Sequence, residues 1–103
     1  MKADKAVHQL RSWIRSHHLL CRGQYFIFET IDQSQLDRFE DCLRLLGGHI
    51  EAIRTVGNWP MGPRRAFKIL RAEATVPRSK GQELQRYWAE NGSFQTRFSE
   101  ISD

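Results

Sequence analysis

Residues 24–48 read QYFIFETIDQSQLDRFEDCLRLLGG, and they hold the clearest structural pattern of the chain. The segment YFIF at residues 25–28 is aromatic and β-favouring, with apolar side chains facing both ways. It predicts a strand over residues 24–30 that is buried in the middle of a sheet. Asp32 or Ser34 can then cap an amphipathic helix, and the closing pair of glycines supplies the exit that helix ends favour.

A further helix is predicted before this strand. Apolar residues recur at helical spacing over residues 7–14, and His17 and Cys21 are candidates for continuing the same face. A glycine that follows directly supplies the stop signal. The pattern predicts an amphipathic N-terminal helix within residues 1–22.

Four more elements follow the strand and helix. Residues 49–56 and 66–76 predict two strands, the first with a bulge, joined by a Pro/Gly-rich loop over residues 57–65. Residues 79–82 form a capping box for another helix. The alternating apolar residues of the segment 94–98 then predict a last strand.

The element order βαββαβ over residues 24–101 predicts a ferredoxin-like antiparallel sheet, an α+β fold with helices on one face. This topology places the strands at residues 24–30 and 66–76 in the centre, in agreement with their apolar character. The 103 residues suit a single domain, to which residues 1–22 add the N-terminal helix. Whether that helix covers the other face of the sheet is left open by the pattern.

Composition narrows the class of protein. With 40% hydrophobic and 27% charged residues, the chain has the balance of a soluble globular protein. No apolar run approaches the length of a membrane helix, and charges interrupt the first twenty residues where a signal peptide would be apolar. Two cysteines are too few to stabilise a small secreted fold. We therefore expect a cytoplasmic protein with free thiols and no membrane partner.

Positive charge is concentrated in one part of the chain. The net charge is +4, yet residues 54–80 carry seven Lys and Arg against a single Glu. Attraction for an anionic partner should be strongest there. The alternative interpretation is a solvated basic face without a partner.

The predicted loop at residues 57–65 holds most of the candidate binding residues. It combines a tryptophan, a methionine and two prolines with two adjacent arginines. Trp and Arg often dominate binding energy, and prolines lower the cost of ordering a loop. Trp59 can be either an anchor that faces a partner or a lid that folds back onto the sheet, and both interpretations stay open. The predicted partner-binding residues are Trp59, Met61, Arg64, Arg65, Lys68 and Arg71.

No motif predicts catalysis, a metal or a cofactor. His17 and Cys21 are four residues apart, and with Cys42 and His49 they could suggest a metal site or an activated thiol. The spacing lacks the paired ligands of structural zinc sites, and the cysteines are equally suited to a core. Phosphate-binding glycine loops and nucleophile elbows are also missing from the sequence. We predict no enzymatic activity, no metal and no cofactor.

Two short segments invite comparison with known families. Residues 65–69, RAFKI, keep the basic start and one aromatic of the third-strand motif of RNA-recognition domains but lack its glycine and second ring. Only the order of elements therefore carries over from those domains. Residues 43–53, LRLLGGHIEAI, resemble the helix, double glycine and strand of the small linker domains of phycobilisomes, which dock onto pigment-protein discs. That resemblance implies a protein partner and no cofactor.

These observations predict a small non-enzymatic binding, adaptor or regulatory module. It would recognise an acidic protein surface through residues 57–65 and the adjacent basic strand. The alternative is an RNA- or DNA-binding protein that uses the same basic residues. Because edge strands can pair with copies of themselves, a homodimer also remains open.

Overall fold

The structure is a computed structural model that describes residues 2–60 and 66–98, without the side chains of residues 58–60 and 66. Its strands form one antiparallel sheet in the order β1-β2-β4-β3. The α+β class is therefore confirmed. In chain order the described elements are α1 (Ala3–Arg15), β1 (Leu19–Arg22), β2 (Tyr25–Thr30), α2 (Gln33–Leu45), β3 (His49–Pro60), β4 (Ala66–Thr75) and α3 (Arg78–Asn91).

The two inner strands are those that the sequence placed in the centre. β2 pairs with β4 from Tyr25 opposite Thr75 to Thr30 opposite Leu70. β3 lies outside β4, and its register shifts between Ile50 and Ala52, as expected for the predicted bulge. A second shift follows further along β3.

The fourth strand differs from the prediction. The sheet edge beside β2 is occupied by β1, and residues 92–98 form no strand within the described chain. The prediction of a strand at residues 94–98 is therefore wrong, and the ferredoxin-like order is not confirmed. A local hairpin explains the exchange. Gly23, at φ 58°, lets the chain reverse tightly between β1 and β2, and pairing two neighbouring segments costs less loop entropy than recruiting a distant one.

The same hairpin shortens the predicted N-terminal helix. α1 ends at Arg15, and the chain turns through His17, which has a φ of 63°. The predicted N-terminal helix is therefore present, but its extension to residue 22 is wrong, because residues 19–22 belong to β1. His17 and Cys21 consequently share no helical face.

Of the predicted N-terminal helix caps, the cap of α2 is present and the cap of α3 is absent. Asp32 caps α2, since its Oδ1 accepts a hydrogen bond from the Ser34 amide at 2.9 Å. Hydrogen bonds from Ser34 lower the pKa of this carboxyl. α3 starts at Arg78, after Pro77, and no side chain caps it, so the predicted capping box at residues 79–82 is wrong.

All three helices pack on one face of the sheet. The Phe39 ring of α2 stacks on Phe28 of β2 with centroids 4.5 Å apart, and Trp13 of α1 lies 4.7 Å from Phe28. α1 contacts both α2 and α3 and buries Leu10 completely in the shared core. The N-terminal helix therefore joins the helical layer and leaves the second face of the sheet uncovered by any described helix.

The segment after α3 returns towards the start of β1. The Arg97 amide donates a hydrogen bond to the His17 carbonyl at 2.6 Å, and the buried Phe98 ring lies 5.4 Å from the His18 ring. His18 donates from Nδ1 to the Glu29 carbonyl at 2.7 Å. Burial lowers the pKa of His18, so the neutral ring is favoured in this packing.

Among the described helices, none combines the length and apolar character needed to cross a membrane.

We predict that Phe39→Ala lowers the free energy of unfolding by about 3 to 5 kcal/mol, because it removes a ring from the centre of the core. Urea unfolding followed by circular dichroism measures this loss. Arg38→Ala is the matched control on the exposed side of the same helix and should change stability by less than about 0.5 kcal/mol. Equal losses in both variants would contradict the core packing described above.

Candidate functional site

β3 and β4 continue as a two-stranded ribbon beyond the rest of the sheet. β4 pairs with β2 only over residues 70–75, whereas its pairing with β3 runs on to Pro60 opposite Ala66. Residues 57–60 and 66–69 therefore have a neighbouring strand on one side only, and we call them the hairpin arm. The predicted loop at 57–65 is correspondingly shorter, since residues 57–60 belong to β3. Residues 61–65 lie outside the described chain.

The hairpin arm places two aromatic residues opposite each other. Trp59 and Phe67 are direct cross-strand partners in the register of β3 and β4. Phe67 is 43% exposed. It was not among the predicted site residues, because only the strand register shows that it lies across from Trp59. The Trp59 side chain is outside the description, so the choice between lid and anchor remains a prediction.

The other predicted site residues do not lie together in the described part of the structure. Met61, Arg64 and Arg65 lie outside the described residues. Lys68 is exposed on the hairpin arm. Arg71 lies three positions further along β4, and successive side chains of a strand alternate between faces. Lys68 and Arg71 therefore point to opposite faces and do not form one continuous basic surface.

Arg71 is held in an ion pair with a buried carboxylate. Its Nη2 and Nε atoms lie 2.7 and 2.8 Å from Glu29 Oε2, and Glu29 is 0% exposed. An unpaired carboxylate in such a position is costly, so the guanidinium compensates a charge that the fold has buried. Arg71 therefore has a structural role, and its contact with a partner stays a prediction.

Other cations of the basic block are also paired. Arg54 Nη2 lies 3.7 Å from Glu73 Oε2, and Lys80 Nζ lies 3.7 Å from Glu83 Oε2. Of the paired carboxylates, Glu29 comes before residues 54–80, Glu83 comes after them, and Glu73 lies within them. Folding thus brings acidic residues against a stretch that looks strongly basic in the sequence. Lys68 is exposed and forms no ion pair with another described residue.

We predict that Arg71→Ala destabilises the protein by roughly 1.5 to 3 kcal/mol, the usual contribution of a hydrogen bond to a charged group. Lys68→Ala on the same strand should stay within about 0.5 kcal/mol of the wild type. Urea unfolding of both variants compares the free energy lost with the paired arginine to that lost with the exposed lysine. The assignment fails if Arg71→Ala is as stable as Lys68→Ala.

The candidate metal and thiol residues do not assemble. Cys21 in β1 and Cys42 in α2 are free thiols that are fully buried. In the part of the chain that the structure describes, no group of three His, Cys, Asp or Glu side chains could hold a metal ion. Burial raises the pKa of both thiols, that of Cys42 to about 11. Neither sulfur therefore has the exposed thiolate character of a nucleophile.

One polar cluster joins a histidine, a carboxylate and a hydroxyl on the second face. His49 Nε2 donates to Glu51 Oε1 at 2.7 Å, and the Thr75 hydroxyl donates to the same oxygen at 3.1 Å. A catalytic triad needs the histidine between the hydroxyl and the carboxylate, with a different ring nitrogen facing each. Here one carboxylate oxygen receives both donors, so the cluster does not activate the hydroxyl.

We predict that neither native thiol reacts with Ellman's reagent at neutral pH, because both are buried and protonated. Both should react once urea unfolds the chain. Absorbance at the nitrothiobenzoate band measures the number of exposed thiols in each state. Rapid modification of the folded protein would restore the thiol-nucleophile interpretation.

Comparison of the chain with protein-family models, with curated proteins and with solved structures gives no match. Functional inference therefore rests on the geometry of the described residues.

Proposed function

We propose that this protein is a non-enzymatic binding module that recognises an acidic surface of a partner protein through its hairpin arm. The observation that carries the proposal is the exposed Phe67 ring, placed opposite Trp59 on a ribbon that pairs with no third strand of the described residues. We also propose a cytoplasmic location, in keeping with two unpaired cysteines that are stable in a reducing compartment.

Aromatic anchors suit a narrow ribbon. The hairpin arm offers little area, so a large share of the binding energy must come from a few side chains. Phe67 supplies an apolar ring on one face of the arm. Lys68 lies on the other face, so its charge adds to the positive field around the arm and does not share the contact of the ring. Arg64 and Arg65 come shortly before Phe67 in the chain and add positive charge, which speeds the approach to an acidic surface.

The ion pairs favour a protein partner over a nucleic acid. Arg54 and Arg71, at the base of the ribbon, are already paired with Glu73 and Glu29. A nucleic acid laid along this surface would bring its phosphates close to those carboxylates. A protein partner with a small acidic patch can reach the aromatic residues of the arm without this repulsion.

One observation favours a second candidate function, binding to double-stranded DNA. A two-stranded antiparallel ribbon has the width that the major groove admits. The hairpin arm is such a ribbon, and Lys68 together with Arg64 and Arg65 could contact phosphates. Binding of this kind would weaken steeply with salt, because counterions released from the phosphates return at high concentration.

The test replaces Phe67 with the photocrosslinking residue p-benzoylphenylalanine and irradiates the protein in nuclease-treated native lysate. We expect crosslinks to a protein from position 67, since a half-exposed ring tolerates the larger aromatic group. In parallel, the double variant Phe67→Ala and Lys68→Ala should capture at least about tenfold less of that protein, as expected for the loss of an anchor.

The matched control carries the same substitutions at the other end of the sheet. Arg22 and Tyr25 are direct cross-strand partners, and Tyr25 is 65% exposed. Arg22→Ala with Tyr25→Ala should leave capture unchanged, and a crosslinker at position 25 should not reach the same protein. The second candidate would replace the proposal if two results were obtained together. The first is capture of the protein from untreated lysate that is lost after nuclease treatment, and the second is binding of a duplex DNA probe that weakens steeply with salt. Equal loss in arm and control variants would overturn both.

A further inference from the structure

The outer strand β3 offers an unpaired edge. It spans His49–Pro60, pairs with β4 on its inner side, and has no described strand on its outer side. The backbone N–H and C=O groups of such an edge can pair with another strand. Bulges protect many edge strands, and the two register shifts of β3 interrupt its ends. Between them, residues 52–55 form a regular stretch.

An exposed aliphatic side chain lies in this regular stretch. Ile53 is the cross-strand partner of the buried Ala72, which places it on the side of the sheet that carries the helices. The inner strands are covered there, but Ile53 at the edge is 51% exposed. A strand added to β3 would bring a neighbouring side chain against it.

We propose that two copies of this chain pair antiparallel along β3, with the two-fold axis at Ile53, so that two four-stranded sheets become one sheet of eight strands. Directly opposed residues of neighbouring strands lie on the same face of a sheet. When the two strands are copies related by a two-fold axis, the axis must therefore pass between two identical residues that face each other. Centring on Arg54 would oppose two like charges. Centring on Ala52 or Thr55 would bring a bulge next to the axis, whereas centring on Ile53 keeps residues 52–54 of both copies in regular pairing. Centring on Ile53 places the two isoleucines side by side.

Charge complementarity supports the same register. It places Arg54 opposite Ala52 of the second copy and next to Glu51 of that copy. Arg54 faces Glu73, and Glu51 accepts from His49 and Thr75, so both lie on the second face of the sheet. Their side chains are 65% and 52% exposed, so each can contact the second copy in exchange for a weak surface pair within its own chain. The symmetry generates two Arg54–Glu51 contacts, one on each side of the axis. The hairpin arm takes no part in the pairing.

The test mixes two variants that cannot pair with themselves. Glu51→Arg opposes two positive charges across the axis, and Arg54→Glu opposes two negative charges. Each variant alone should be monomeric. An equimolar mixture of the two restores opposite charges at both contacts and should form a heterodimer. Analytical ultracentrifugation at roughly 10 to 500 µM covers the range in which small interfaces assemble.

The wild type should reach twice the 12.1 kDa of one chain in the same range. Ile53→Asp should weaken dimerisation by more than about tenfold, because it places carboxylates at the axis. Tyr25→Asp, an equally exposed position on β2, is the control and should leave the dimer intact. A monomeric wild type at the highest concentration, or a mixture of charge variants that stays monomeric, would overturn the proposal. Circular dichroism of each variant verifies that it is folded.

Discussion

The stack of Phe39 on Phe28, with Trp13 against the same ring, is the contact on which the rest of the architecture depends. It fixes α1 and α2 on one face of the sheet, and α3 joins them in the same core. With every described helix on that face, the second face and the distal end of the β3–β4 hairpin are left without helical cover. The surfaces available for recognition therefore follow from where the aromatic residues pack.

The surface charge of this protein depends on which charged side chains are paired with each other. Residues 54–80 look strongly basic in the sequence, yet Arg54 and Arg71 face Glu73 and Glu29 across neighbouring strands. The pairing neutralises the base of the ribbon and leaves Lys68 free of described ion pairs near its end. A charge count along the chain overstates the basic surface, since strand pairing is non-local and brings acidic segments against basic ones.

Two failures of prediction, the helix over residues 19–22 and the strand at residues 94–98, share one physical origin. Residues 19–22 are apolar, and a short apolar run is compatible with either a helix or a buried strand. The choice was decided by the reversal at Gly23, which lets this segment pair with β2 and occupy the sheet edge. β1 occupies the edge beside β2 that the prediction assigned to residues 94–98, and Phe98 packs against His18 instead.

Local pattern was sufficient for the elements with strong signals of their own. The strand and capped helix of residues 24–48, the two central strands and the bulge of β3 could all be inferred from side-chain periodicity and helix caps. Tertiary structure alone decided which strand completes the sheet, that Arg71 neutralises Glu29, and that Phe67 lies exposed opposite Trp59. These outcomes depend on strand order and register, which join residues far apart in the chain, and a local pattern carries no information about distant partners.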